Sequence, residues 1–215
     1  MNPKMLASFE DGSKTMIEMT ALANAINLPP DQIGMNGPVS SVEELNKVLI
    51  PQADGGVLSE SGRVDYAFGP APGVFSIVKS DNPTVIEEME YLSMGEGPYY
   101  TLYRPYHLAS IEAPRSIGMA IINNEPGLQP KSWIAEVIGH TKKDLKKGEK
   151  IDGIGGFATY GVTYPVANTD NLIPLGLLEG ATVIKDLKKG EPITKDSVEL
   201  PENLINSLRK LQEAS

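Results

Sequence analysis

The chain has 215 residues, with 19 basic against 28 acidic side chains and a formal net charge of −9. That balance disfavours nucleic acid and anionic membrane as partners. The absence of cysteine excludes disulfides, thiolate catalysis and cysteine-based zinc sites. No apolar run approaches the roughly 20 residues of a membrane span, and the first residues do not read as a signal peptide, so a soluble cytoplasmic protein is expected. Twenty-one glycines and 17 prolines imply many turns, as in an α+β protein of short strands.

Taken in order, Met5, Leu6 and Phe9 bring apolar side chains at once. Met19, Leu22, Ala23 and Ile26 fall at i, i+3, i+4 and i+7, which predicts one buried helical stripe. Ser13 is its expected N-cap and Pro29-Pro30 its stop. Ser41-Val42-Glu43-Glu44 has the form of a capping box, opening a short helix with Val42, Leu45 and Leu49 that Pro51 ends. The alternation of Val64, Tyr66 and Phe68 predicts a strand over Arg63 to Phe68, and a second is expected from Val74 to Val78. Asn82 caps the next helix with Pro83 in its first position, and Val85, Met89 and Leu92 form its apolar stripe. Tyr99 to His107 gathers four Tyr, one Arg and one His. Pro114 is expected to start a helix through Ile121, and Gly127 to Pro130 to form a linker. Pro201 opens a last helix with Leu204, Leu208 and Leu211 on one face and Arg209 and Lys210 near its C-terminus.

The second half is organised by two copies of one heptapeptide. Lys143-Asp144-Leu145-Lys146-Lys147-Gly148-Glu149 recurs letter for letter as Lys185-Asp186-Leu187-Lys188-Lys189-Gly190-Glu191. Each copy reads as a single helical turn, with Asp144 or Asp186 as N-cap and Gly148 or Gly190 as a left-handed C-terminal cap. Leu145 and Leu187 are expected to point inward. Strand-like residues precede each copy, Glu136-Val137-Ile138 and Ala181-Thr182-Val183-Ile184, and Ile151 and Ile193 follow.

This pair resembles the SAF domain, a β-clip module, most closely from Leu175 to Thr194. Asp152-Gly153-Ile154-Gly155-Gly156-Phe157 and Tyr103-Arg104-Pro105-Tyr106-His107-Leu108 are similar to stretches of SAF-bearing, homoserine-dehydrogenase-like oxidoreductases, a group that includes deoxyxylulose-phosphate-reductoisomerase-like enzymes. The resemblance implies an α+β architecture. A partial α/β catalytic-domain layer would occupy residues 1–126, a β-clip domain 127–200 and a C-terminal helix 201–215. It also implies a chain that begins within the catalytic domain, without the dinucleotide-binding domain that holds NAD(P) in the full-length family. No cofactor is then expected to bind this chain alone. The implied partners are a small anionic metabolite and further copies of the same chain.

Asp11-Gly12-Ser13-Lys14 is the leading chemical candidate. Gly12 allows a tight turn, and Ser13 would open a helix whose free N–H groups attract anions. Lys14 is placed for a phosphate or carboxylate. Asp11 could fix Lys14 or hold a divalent cation, and Glu18 lies one turn on. Arg104-Pro105-Tyr106-His107 is second, a stiff segment offering an anion clamp and a proton donor. Asp11, Lys14, Arg104 and His107 are therefore the expected catalytic residues, with Ser13, Glu18 and Tyr106 binding substrate. His140 reads as structural, and Trp133 as sealing a domain junction. Gly153-Ile154-Gly155-Gly156-Phe157-Ala158 fits the letters of a dinucleotide fingerprint, but Thr159 to Tyr164 reads as a strand where that motif needs a helix. Its glycines are expected to let two hairpins cross closely. An alternative reading is a non-enzymatic SAF binding module or assembly chaperone.

Overall fold

The computed structural model describes residues 2–106 and 108–214. In chain order the elements are α1 (Pro3–Glu10), α2 (Ser13–Ile26), α3 (Leu45–Val48), β1 (Val74–Lys79), α4 (Pro83–Tyr91), β2 (Tyr99–Arg104) and α5 (Ala109–Gly118). There follow β3 (Ala135–Thr141), β4 (Thr159–Pro165), β5 (Thr182–Val183), β6 (Val198–Glu199) and α6 (Leu204–Glu213). The architecture is α+β. The residues divide into two compact units, one formed by the chain up to Gly34 together with the chain from Pro130, the other by Met35–Gln129.

The first unit is built on β3 and β4, paired antiparallel from Ala135↔Pro165 to Thr141↔Thr159. Beside them the two heptapeptides embrace. Leu145 and Leu187 each donate a backbone N–H to the other's carbonyl at 2.9 Å. Gly148 N–H reaches Val183 O at 2.7 Å, and Gly190 N–H reaches Thr141 O at 2.9 Å. The two copies thus occupy equivalent places about a local twofold relation.

Each copy is a tight turn rather than the expected helical turn. Glu149 N–H closes on Lys146 O, and Glu191 N–H on Lys188 O. The flanking strands hold both ends extended, so the backbone has no second turn with which to continue a helix. Gly148 and Gly190 have φ of +93° and +86°, as a left-handed position requires. Asp144 and Asp186 do not cap their own copies. Asp144 accepts the N–H of Lys189 at 2.9 Å and pairs with Lys188 at 2.8 Å. Asp186 accepts the N–H of Lys147 at 2.9 Å and pairs with Lys146 at 2.7 Å. Leu145 and Leu187 are buried as expected, in a core with Ile138, Ile151, Leu175, Leu178, Val183 and Ile193.

Helix α2 packs on β4, with Ala23 alone of the expected stripe buried. Leu22 and Ile26 are exposed, and the buried face carries Ser13, Met16, Thr20 and Ala23. Two polar partners in β4 explain the choice. Gly161 N–H donates to Ser13 Oγ at 2.8 Å, so Ser13 is a buried helical residue, while Gly12 takes the N-cap position. Thr163 Oγ1 donates to Met16 O at 3.0 Å, leaving Thr20 to donate to Thr163 Oγ1 at 3.1 Å. The small side chains of Ser13, Thr20 and Ala23 let helix and strand approach closely enough for these bonds.

Helix α6 likewise turns a polar face inward. Asn203 caps it, in place of an opening at Pro201. Leu204, Leu208 and Leu211 face outward at 73%, 55% and 68% exposure, while Asn206 is buried. Arg209 fixes this orientation, bonding Glu136 Oε2 at 2.7 Å with both side chains mostly buried. Trp133, 4.6 Å from that guanidinium, donates its Nε1 hydrogen to the same carboxylate.

In the second unit, β1 and β2 pair antiparallel from Val74↔Arg104 to Lys79↔Tyr99, over a core of Leu45, Leu49 and Leu58. Residues 63–68 form no strand. Phe68 makes an isolated bridge to Val39, and the Asp65 carboxylate gathers the N–H groups of Asn36, Gly37 and Tyr66 that ladder partners would otherwise take. Asn82 caps α4 through Thr84 N–H as expected. In that helix Val85 and Leu92 are exposed, and Ile86 and Met89 are the partly covered positions. Helix α5 begins at Ala109, before Pro114, which lies inside it, and passes into a π-helical turn over Met119–Asn123. The Ser41–Glu44 segment opens as a 3-10 turn with no side-chain cap.

Candidate functional site

The segment from Asp11 to Lys14 sits where α1 turns into α2. Gly12, at φ +80°, makes the corner. Asp11 Oδ1 accepts the N–H of Ser13 at 2.8 Å, so the chain's own carboxylate already lies at the start of α2. Asp11 Oδ2 pairs with Lys142 Nζ at 2.5 Å. That ammonium also donates to Gly156 O at 2.7 Å. Asp11 therefore fixes Lys142 and not Lys14. The reason is burial: the Asp11 and Lys142 side chains are 13% and 22% exposed, where an unpaired carboxylate would be costly. Ser13 is likewise engaged within the fold.

Lys14 and Glu18 do meet as one turn of helix requires, at 3.5 Å, and both remain open to solvent. Lys14 Nζ also lies 4.3 Å from the centre of the Phe9 ring. Of the first group, these two are the residues free to meet a ligand. Asp11 and Ser13 shape the corner that carries them.

Arg104 and Tyr106 belong to the other unit. Arg104 ends β2 and pairs with Glu112 of α5, whose second oxygen accepts Leu108 N–H at 3.1 Å. The guanidinium and Tyr106 are both more than half exposed. His107 lies outside the described residues.

Two groups escaped sequence reasoning. Lys142 had a signal: it stands immediately before one heptapeptide where Ile184 stands before the other. The copies differ at the side chain that reaches Asp11. The second group is Asp54, Lys79 and Tyr99. The Tyr99 hydroxyl donates to Asp54 Oδ2 at 2.5 Å, and Lys79 Nζ lies 3.5 Å from the same oxygen. The hydroxyl's bond to Asp54 raises its pKa, and the same bond holds the carboxylate below its ordinary range. Lys79 and Tyr99 face each other in the β1–β2 register, which an unpaired reading of either strand could not reveal.

The loop from Gly153 to Ala158 does not suit a dinucleotide. It runs directly into β4, with no helix N-terminus to meet a pyrophosphate. Three of its N–H donors are already taken: Phe157 and Ala158 donate to the Asp152 carboxylate at 2.6 and 3.0 Å, and Gly156 donates to Gly153 O at 3.1 Å. Burial pushes the Asp152 pKa up, but the backbone hydrogen bonds it accepts, together with the Lys4 charge, outweigh it and leave the group lowered. Any side chain at Gly155 would strike the Lys4 carbonyl, so this glycine admits α1 rather than a second hairpin or a phosphate. Among the described residues no three His, Cys, Asp or Glu gather as a metal site, and the Lys142 ammonium stands at Asp11 where a cation would bind.

His140 is held on both sides. Nδ1 lies 3.0 Å from Gly190 O and Nε2 2.9 Å from the Tyr164 hydroxyl. A carbonyl can only accept, so Nδ1 carries the proton and Tyr164 donates to Nε2. No helix among the described residues is long and apolar enough to cross a membrane.

Comparison with known families finds two matches. Residues 1–113 match the catalytic domain of oxidoreductase DRL, and residues 136–199 match the SAF domain. No curated protein matches the chain.

Proposed function

Because the chain belongs to the oxidoreductase DRL family, with that catalytic domain over residues 1–113 and a SAF domain over 136–199, we propose that it forms the substrate-binding and SAF portion of an NAD(P)-dependent oxidoreductase. The substrate is a small phosphorylated or carboxylated metabolite. The observation that carries this reading is the catalytic-domain match, which spans Asp11, Lys14, Arg104 and His107.

Lys14 is only weakly committed within the fold. Its pairing with Glu18 is long and solvated, a contact worth about 0.3–0.5 kcal/mol, so an incoming phosphate or carboxylate displaces it easily. Arg104 is planar and exposed, suited to a bidentate grip on the same class of group. His107 is the proton carrier of the set, since an ordinary imidazole titrates near neutrality. Asp11 is a positioning residue that sets the corner before α2. A nicotinamide supplies hydride chemistry when bound, and the 153–158 loop, which runs into β4 and not into a helix, does not suit its pyrophosphate.

The test is thermal denaturation of the whole chain with sulfate and with a sugar phosphate. A ligand that binds only the folded state raises the melting temperature by mass action. The shift should shrink in Lys14→Ala, Arg104→Ala and His107→Ala, each of which should melt near the wild type without ligand. Variants that all keep the full ligand-induced shift would remove these residues from the reading.

A further inference from the structure

We propose that the groove between α6 and the β-clip strands binds a small carboxylate with an apolar body and a hydroxyl donor. The groove has a volume of about 790 Å³, within the range of roughly 300–1,000 Å³ usual for small-molecule sites. It shares no residue with the Lys14 and Arg104 positions.

Its floor is apolar, with Ile173, Val198 and Leu200 among the lining residues. Its wall is the inward face of α6, and here the unusual orientation of that helix has a consequence. Asn203, Asn206, Lys210 and Glu213 are spaced at i, i+3, i+7 and i+10, which puts them in one stripe. All four line the groove. Asn206 is 5% exposed. Its Nδ2 donates to Pro201 O at 2.8 Å, and its backbone N–H donates to Asn203 Oδ1 at 2.8 Å. Its Oδ1 is buried and has no hydrogen-bond partner among the described residues. The bond to Pro201 fixes which end of the amide is the donor, so the orphan is an acceptor. A buried acceptor without a donor is destabilising, and a ligand hydroxyl removes that defect.

The rim selects the sign of the ligand's charge. Arg209 is engaged by Glu136 at 2.7 Å and Glu213 at 3.0 Å. Glu213 is shared with Lys195, which it meets only at 3.5 Å. Lys210 has no ion-pair partner among the described residues. Three cations and two acids line the groove, counting Glu202, in a chain whose net charge is −9. With Arg209 neutralised by Glu136, Lys195 and Lys210 face Glu202 and Glu213, and Lys210, which has no ion-pair partner among the described residues, is the cation left to draw an anion. Lys195 and Lys210 take the carboxylate, Asn206 Oδ1 takes the hydroxyl proton, and the apolar floor takes the body between them.

The probe is 4-hydroxyphenylacetate, titrated into the ¹⁵N-labelled full chain and followed by NMR. Its methyl ether lacks the donor, and 4-hydroxyphenylacetamide lacks the charge. Amide shifts should cluster at residues 173–177 and 195–213. Both analogues should bind about tenfold more weakly or worse, the size expected for a lost charge-assisted or buried hydrogen bond. Lys210→Glu should weaken the acid similarly while leaving the spectrum of the free protein otherwise unchanged, because this side chain makes no ion pair among the described residues. Asn206→Leu tests the acceptor directly, and if it unfolds α6 the methyl ether still does so. Equal affinity for the acid and its methyl ether overturns the proposal, as do an unaffected Lys210→Glu variant, shifts confined to other residues, or no shift in millimolar probe.

Discussion

The imidazole of His140 is held between Gly190 O and the Tyr164 hydroxyl, and burial lowers its pKa against the smaller upward pull of the Gly190 bond. Unfolding returns it to about 6.5. Its contribution to stability is thus complete above that value and declines as pH falls towards the depressed folded one. An NMR titration should place the His140 midpoint below 6.5, and Tyr164→Phe should raise it, because the neutral ring loses its donor at Nε2. A wild-type midpoint at or above 6.5 would contradict this. Gly148 and Gly190 were legible from the letters alone, because a left-handed φ depends on a residue's own sterics. Nothing lies within 4 Å of a side chain built at either, so the cost of Gly148→Val or Gly190→Val is backbone strain, about 1–3 kcal/mol. Gly176, equally open but without a positive φ, is the control. Thermal melts should show both valine variants lowered and Gly176→Ala unchanged or slightly raised.

Between elements, the reciprocal pairing of the heptapeptides is the contact that makes one body of two turns. Hydrogen bonds from Lys188 to Asp144 and from Lys146 to Asp186, first among several causes, hold both carboxylates below the ordinary range. A carboxylate with a depressed folded pKa stabilises the fold above its unfolded value of about 3.9 and loses that contribution as pH falls through the folded one. The Asp144→Asn, Asp186→Asn double variant should therefore melt below the wild type at neutral pH, and the two curves should converge in acid. A difference that persists at pH values where both carboxylates are protonated would point to packing instead of charge. The repeat announced that two equivalent turns exist. It did not announce that each caps the other, since identical sequences offer identical donors and acceptors to both arrangements. Helices α2 and α6 teach the complementary point. Leu22 and Ile26 of the stripe expected to be buried are exposed, as are the α6 leucines, and the covered faces include Ser13, Thr20 and Asn206, because Gly161, Thr163 and Glu136 present groups that need partners.

At the scale of the molecule, the outward stripe of α6 and the exposed Met5, Leu6 and Phe9 of α1 leave apolar surface uncovered within the first unit. Such surface favours association, and we propose that the chain forms homo-oligomers through α6. Light scattering at micromolar concentration should give a mass at least twice 23.1 kDa. Leu208→Asp combined with Leu211→Asp should return it to the monomer value. A wild-type monomer at that concentration would end the proposal. The first unit also cuts across the family boundaries: the residues up to Gly34 lie in the catalytic-domain match, yet they fold with the SAF segment. Ser13, Thr20 and Asn24 bond into β3 and β4 or the residues just before them.

The sequence by itself determined the features whose causes lie within a few residues: the duplicated turns and their glycines, the Asn82 cap, the Lys14–Glu18 pair, the strand after the Gly153 loop, and the family. Tertiary structure alone decided which face of α2 and of α6 is buried, that Asp11 binds Lys142, and that Asp54, Lys79 and Tyr99 meet. The physical reason is common to all of these. Apolar periodicity fixes the axis of a helix's two faces, but the partner's unsatisfied donors and acceptors choose between them. A buried charge, in turn, takes whichever counter-ion the fold brings within reach, however far away along the chain.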